Sequence, residues 1–323
     1  MGLSAPKPPR SPTTLGQGFP PRVFSDRKWQ KGGVAMILCF EIGGSRIRAG
    51  LSVDGGLEPL GEVGTPTDLA GFLAVLQRFV RPGLRGVAVS ITGVVDPATG
   101  RLRVANLPAL EGRLFAAEVG AVLGLPVVVL NDADCFALAE ARWGAGRGHG
   151  TVFGIILGSG VGGGLVMAGQ VVAGAGGFAG EWGHGPVVQV PCLPCGCGLA
   201  GCLDTVGGAR GIERLHLALG GRPASSEAIV AGWLAGDAAF GATVARWADL
   251  VSGPLAMVLN VVGAGIVPVG GGLGRVPELV ALLDGAVRGR VLRVCDAPLV
   301  VCAQVSVDAG LLGAATAGEA AFG

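Results

Sequence analysis

Apolar and polar positions along the chain fall into two successive cycles. The first opens at Ala35-Met-Ile-Leu-Cys-Phe-Glu-Ile, turns through Gly43-Gly44-Ser45 and resumes as Arg46-Ile47-Arg48-Ala49-Gly50-Leu51. That spacing predicts two strands joined by a tight glycine turn. Asp68 then precedes apolar residues at Leu69, Phe72, Leu73, Leu76, Phe79 and Val80, the pattern of a helix with Asp68 as its N-cap. A buried strand is expected over 86–91, a helix over 111–123 ended by Gly124, a strand over 126–130 and a helix over 132–143.

The second cycle repeats the first. A strand over 151–157 meets a glycine turn, a second strand follows over 163–167, and a long helical region runs from about 237 to 262. Residues 266–269 supply another strand, which exits into Gly270-Gly271-Gly272. Strand, glycine turn, strand and α/β alternation thus occur twice. The expectation is an α/β fold of two similar domains, with ligands at the glycine turns that line the cleft between them.

Composition narrows the partners. Of 323 residues half are hydrophobic and only 15% charged, and the net charge of +1 offers neither a basic field for nucleic acid nor an acidic block for a cationic partner. Binding should be local and pocket-based. Residues 1–35 carry Pro6, Pro8, Pro9, Pro12, Pro20 and Pro21 among Arg, Lys and Ser, and are expected to be a disordered tail. Met36 stands just before the first strand, where a second start codon would give a chain without that tail. Neither an export signal nor an uninterrupted membrane span is legible, so the expected compartment is a reducing cytoplasm.

Several segments carry chemistry. Leu157-Gly158-Ser159-Gly160-Val161-Gly162-Gly163-Gly164 contains a formal G-x-G-x-x-G match, but Leu165-Val166-Met167 continues as a strand. A dinucleotide fold needs a helix at that point, so the segment reads either as a tight turn or as a hairpin offering backbone N–H groups to phosphate. Asn131-Asp132 stands at a strand end where a helix begins. Asp132 could there accept the proton of an attacking hydroxyl while Asn131 holds a neighbouring one, or the pair could simply cap the helix.

Cys195, Cys197 and Cys202 lie in a glycine-rich loop downstream of Gly180-Glu181-Trp182-Gly183-His184. Thiols so spaced in a cytoplasmic chain favour a closed structural zinc site, with His184 as fourth ligand and Cys192 as competitor for that place. Glu181 and Asp204 flank the metal loop, as rigid acceptors for sugar hydroxyls or as solvated acids. Cys39, Cys135, Cys295 and Cys302 fall in apolar stretches and are expected in the core.

Taken together with Asn106-Leu107-Pro108-Ala109, Val269–Leu273 and Asp308-Ala309-Gly310, these segments resemble the ROK family of bacterial sugar kinases and sugar-responsive repressors, and within it the N-acetylglucosamine kinases. The resemblance runs from about Met36 to the C-terminus. It implies the duplicated ribonuclease-H-like fold of the actin and hexokinase type. It further implies a first domain over 36–130, completed by a C-terminal helix at about 308–323, and a second over 131–307 carrying the metal loop 184–202.

The activity so implied is phosphoryl transfer from magnesium ATP to the 6-hydroxyl of N-acetylglucosamine or a related hexose. Asp132 would be the general base, and Asn106, Asn131, Glu181, His184 and Asp204 would contact the sugar. ATP with magnesium would lie against Glu41, Gly43, Gly44, Ser45, Gly158, Ser159, Gly160 and Gly162, and adenosine near Gly270, Gly271 and Gly272. A homodimer is implied as well.

Some positions depart from the family pattern. Glu41 stands where Asp is usual, Ser45 and Ser159 where Thr is usual, and Ser90-Ile91-Thr92-Gly93 where Gly-x-Pro-Gly is common. Asp204 replaces a Glu. Two rival functions follow from the same family, a transcriptional regulator and a catalytically silent sugar-binding protein. The first needs two helices and a basic face ahead of the body, which the proline-rich residues 1–35 do not provide.

Overall fold

In a computed structural model that describes residues 36–53, 55–104, 106–305 and 308–323, the first apolar run becomes strand β1 (Met36–Ile42). Its Ile37, Leu38, Cys39 and Phe40 have no exposed surface. A strand buried on both faces belongs inside a sheet with helices on each side. On one flank β2 (Arg46–Val53) and β3 (Gly56–Gly64) add antiparallel. Helix α1 (Leu69–Gln77) follows, capped by Asp68, whose carboxylate accepts the Gly71 N–H at 2.7 Å. On the other flank β4 (Leu84–Ile91) runs parallel to β1.

A short ribbon of β5 (Val94–Val95) and β6 (Leu102–Arg103) precedes α2 (Phe115–Leu123) and β7 (Val127–Asn131), which closes the sheet in the order β3-β2-β1-β4-β7. Helix α2 starts later than the expected residue 111. The Gly112 N–H donates to the Leu102 carbonyl at 2.8 Å, the Leu102 N–H to the Arg113 carbonyl at 2.9 Å, and the Glu111 carboxylate accepts the Val104 N–H at 2.6 Å. Backbone committed to a neighbouring ribbon cannot also close helical turns. Gly124 ends α2 in the left-handed conformation (φ 66°), as expected of a glycine C-cap.

Helix α3 (Asp132–Trp143) leads into the second sheet. Strands β8 (Thr151–Leu157), β9 (Val161–Met167) and β10 (Gln170–Val171) form its antiparallel part. After the metal loop come α4 (Asp204–Gly207), α5 (Ala209–Ala218), α6 (Ser226–Leu234) and α7 (Ala238–Val262). Then β11 (Val267–Gly270), α8 (Pro277–Arg288), β12 (Val300–Cys302) and α9 (Ala309–Phe322) complete the chain. The order β10-β9-β8-β11-β12 repeats the first sheet: two antiparallel neighbours on one side of the central strand and two parallel strands on the other. This is the duplicated α/β fold that the two cycles predicted.

Each sheet is covered on both faces. Phe72 and Leu76 of α1 and Phe115 and Val119 of α2 pack on one side of the first sheet, while Leu311, Ala314 and Ala315 of α9 pack on the other. Trp247 of α7 and Leu283 of α8 cover the outer face of the second sheet, and Ala137 and Leu138 of α3 its inner face. The inner layers approach unusually closely because glycines stand at the contacts. A Cβ on Gly154 would lie 2.8 Å from the Ala137 Cα, one on Gly318 2.7 Å from Ile37 Cγ2, and one on Gly313 would collide with the Cys135 carbonyl.

Cys39 and Cys135 are buried as expected. Cys295 lies in the loop after α8 and Cys302 at the end of the short β12, both half-buried and packed against the core of the second sheet. Among the described residues, no single helix is long and apolar enough to cross a membrane. The proline-rich residues 1–35 lie outside the described residues.

Candidate active site and metal centre

Strand register gathers the chemistry at two sheet edges. In the first sheet Ile42 pairs with Ile91 and Ile91 with Asn131, so Thr92 and Asp132 leave the sheet side by side, with Glu41 one residue inside the same edge. In the second, Gly270 pairs with Ile156, which sets Gly270–Gly272 beside the turn after Leu157. Gly271 has φ 82°, and a Cβ there would collide with the Leu157 carbonyl, so only glycine fits. Around Gly272 a Cβ would meet nothing within 4 Å, which leaves open space at that edge.

Asn131 caps α3. Its Oδ1 accepts the Ala133 and Asp134 N–H groups at 2.8 and 3.4 Å, and its Nδ2 donates to the Gly93 carbonyl at 2.9 Å. The cap fixes Asp132 as the first helical residue, half-buried at the strand exit. Desolvation by burial raises the Asp132 pKa, the nearby Glu41 raises it further, and hydrogen bonds from the Ala133 amide and the Thr92 side chain oppose the shift. The Glu181 pKa is raised mainly by burial, and by Asp132 and Asp204, against the attraction of His184.

Asp134, two residues further along α3, is only 7% exposed, and its Oδ1 has no hydrogen-bond partner. Burial, then Glu181, then Asp132 push it up to about 7. Three carboxylates, Asp132, Asp134 and Glu181, are therefore raised together in a poorly solvated place. Such concentrations of perturbed acids mark functional sites more often than bulk surface.

The first glycine turn is held by Thr65, whose hydroxyl donates to the Gly43 carbonyl at 2.7 Å and whose N–H donates to the Ser45 carbonyl at 3.1 Å. Exposed Asn106 stands over Gly44, where a Cβ would lie 3.6 Å from the Asn106 Cβ. Glu41 is not free: Arg48 on β2 donates to its carboxylate and also to Asp308, at the start of α9. In the second turn Ser159 is exposed, while the Gly162 carbonyl accepts from the Trp182 indole N–H at 2.9 Å. Asp204, expected at the sugar, places Oδ1 on the Val161 N–H at 2.8 Å.

Among the described residues one cluster could hold a metal: His184, Cys195, Cys197 and Cys202, with ligand atoms all within 4.8 Å of one another. His184 Nδ1 is 3.7 Å from the Cys195 sulfur, and the Cys197 and Cys202 sulfurs are 3.6 Å apart. A tetrahedron built on Zn–S bonds of about 2.3 Å has edges of about 3.8 Å, so zinc fits this donor set. Backbone hydrogen bonding from Leu199 lowers the Cys197 thiol to about 7, whereas burial pushes Cys195 up to about 11. Exposed Cys192 stays outside the cluster. The other ring nitrogen of His184 faces Glu181, with Nε2 3.8 Å from Oε2.

Asn131, Asp132, Glu181 and His184 thus form one connected group, with Glu41 beside Asp132. Sequence reasoning missed Arg48, Thr65, Thr92, Asp134 and Trp182 as residues of the site. Thr92 could have been found, because it follows a predicted buried strand in the same way that Asn131 does. Arg48 and Thr65 act through partners distant in sequence, and no local pattern marks them.

Known proteins resemble this chain over most of its length. The sequence profile of the ROK family matches residues 38–319. N-acetylgalactosamine kinase AgaK of Shewanella sp. (strain ANA-3) is 32% identical over 294 residues, covering 86% of this chain and 95% of that protein. N-acetyl-D-glucosamine kinase of Shigella flexneri serotype 5b (strain 8401) is 33% identical over 297 residues, covering 85% and 97%. Among solved structures, a ROK family glucokinase from Streptomyces griseus in complex with glucose and AMPPNP has a TM-score of 0.68 at 28% identity, covering 88% of this chain and 98% of that one.

Proposed function

Since the chain belongs to the ROK family, we propose that it is a sugar kinase, transferring the terminal phosphate of ATP to the 6-hydroxyl of N-acetylglucosamine or a closely related hexose. The observation that carries this reading is Asp132. Its carboxylate is half-buried at a strand exit, with a raised pKa, among Glu41, Thr92 and Glu181 and on the edge where Asn131 fixes its direction. A carboxylate so placed accepts the proton of a hydroxyl as that oxygen attacks phosphorus. Similarity to kinases of two N-acetylhexosamines supports the substrate class.

Sugar hydroxyls would be held by Asn106, by the remaining N–H of the Asn131 amide, by Glu181 and by His184 Nε2. Phosphates would lie against the Gly43–Ser45 turn and the Gly158–Gly162 hairpin, with the adenosine against Gly270–Gly272. When bound, magnesium would neutralise phosphate charge; Glu41 is the acid nearest the first turn, and it would share its charge with Arg48. Phosphoryl transfer asks the protein chiefly for positioning and charge balance, and these rigid turns supply positioning. Zinc held by His184, Cys195, Cys197 and Cys202 would be structural, since four protein ligands leave no open position. Bound there, it would fix His184 and, through it, Glu181.

A coupled assay of ADP release tests the reading, with N-acetylglucosamine, N-acetylgalactosamine, N-acetylmannosamine, glucose and fructose as acceptors. ADP formation that depends on one of these sugars is the expected result. No sugar-dependent ADP with any of them would sink the kinase assignment.

A further inference from the structure

Asp204 stands where the sequence leads one to expect a sugar contact, yet one oxygen of its carboxylate is engaged by the hairpin instead. Oδ1 accepts the Val161 N–H at 2.8 Å, and the acid is wedged so tightly beneath the hairpin that a Cβ on Gly160 would collide with it. The rest of the segment grips the same turn. The Ala209 N–H donates to the Gly158 carbonyl at 2.7 Å, the Arg210 N–H to the Ser159 carbonyl at 3.2 Å, and a Cβ on Gly208 would come within 2.5 Å of the Gly160 carbonyl. Asp204 is itself held in place, its N–H donating to the Gly183 carbonyl at 2.9 Å.

Gly158, Ser159 and Val161 are thus each fastened to residues 204–210, two through carbonyl oxygens and one through an amide. Two of those attachments are backbone to backbone and survive any side-chain change. The third depends on the side chain of Asp204 alone. It fixes the residue at which the turn re-enters the sheet, and Val161 is buried there, so water cannot readily replace the acceptor.

We propose that Asp204 is a positioning residue for the nucleotide, holding the Gly158–Gly162 hairpin in its phosphate-binding shape through the Val161 amide, rather than a sugar contact. This rests on reading that hairpin as the phosphate site. One consequence is specific: what Asp204 must supply is a hydrogen-bond acceptor at a fixed distance, not a negative charge. Asn has that acceptor in the same place, whereas Ala has none and Glu carries it one methylene too far.

The test compares Asp204→Ala, Asp204→Glu and Asp204→Asn in the full chain. Calorimetry gives the Kd of a non-hydrolysable ATP analogue with magnesium, and steady-state kinetics gives KM for ATP and for the sugar. Asp204→Ala and Asp204→Glu should weaken analogue binding and raise KM for ATP about tenfold, the usual cost of one unpaired buried amide. KM for the sugar should hold within about twofold, and Asp204→Asn should restore nucleotide affinity. Should Asp204→Ala not fold, as judged by circular dichroism, the Glu and Asn pair decides alone.

A rise in sugar KM with unchanged analogue affinity would overturn the proposal and return Asp204 to the sugar. Asp204→Asn as damaging as Asp204→Glu would overturn it too, since charge would then matter. The kinase reading fails separately: an unsubstituted protein that binds the analogue but phosphorylates no sugar leaves the Kd comparison intact. An unsubstituted protein that does not bind the analogue overturns both.

Discussion

A single amide, Asn131, shows why a motif read one residue at a time stays ambiguous. Helix capping and substrate positioning look like rival explanations of Asn131-Asp132, yet the cap is what aims Asp132 out of the strand end. Asp132→Asn is expected to lower kcat by about 10²-fold or more, the usual contribution of a general base, with the circular dichroism spectrum unchanged. Because the base must be ionised and burial raises its pKa, kcat/KM should climb with pH through a carboxylate limb lying above the ordinary Asp value of 3.8. Asp134 predicts a second pH effect, this time on stability. Its pKa is about 7 in the fold against 3.8 as the reference value, so the folded state binds its proton more tightly than the unfolded chain does. The resulting stability is intact at low pH and is lost as pH rises between about 4 and 7. Asp134→Asn keeps the neutral shape at every pH. Thermal denaturation should find it more stable than the parent at pH 8, by on the order of a few degrees, and little different near pH 4. Nothing local in the sequence distinguishes Asp134 from a solvated first-turn acid; its burial comes from Gly164 and the Glu181 loop, far along the chain.

Among the elements, the metal loop was the most legible, because ligand chemistry restricts which residues can do the work. Three thiols and an imidazole converge as their spacing suggested. Protein purified without chelator should contain about one zinc per chain by plasma mass spectrometry. Cys202→Ser, which removes a fully buried ligand, should reduce that stoichiometry several-fold and lower the denaturation temperature by several degrees. Strands and helices with strong periodicity were also readable: β1, β2, β4, α1 and α3 stand where the pattern put them. The beginning of α2 was not, because the competing partner of Gly112 is the backbone of Leu102, which hydrophobic spacing does not encode. Likewise the β9 strand starts at Val161, before the expected 163, since Val161 and Gly162 pair with Leu157 and Ile156 of β8, and Gly162 has no side chain to signal it.

For the molecule as a whole, repetition in the sequence anticipated the two matching sheets, but not what lies between them. Helices α3 and α9 share that space, the first on β8 and β9, the second on β1 and β4, in contact through Gly313 and the Cys135 carbonyl. Gly313→Ala should be disproportionately harmful, because the added methyl meets backbone that cannot rotate away. A fall in denaturation temperature of about 5 °C or more is expected, measured against Gly253→Ala on the open side of α7, where a Cβ would meet nothing within 4 Å. The same glycine contact leaves no room for a methyl group between the two helices, so any side chain at 313 would have to push α9 off α3, and with it off the β1 and β4 residues that Gly318 brings so close.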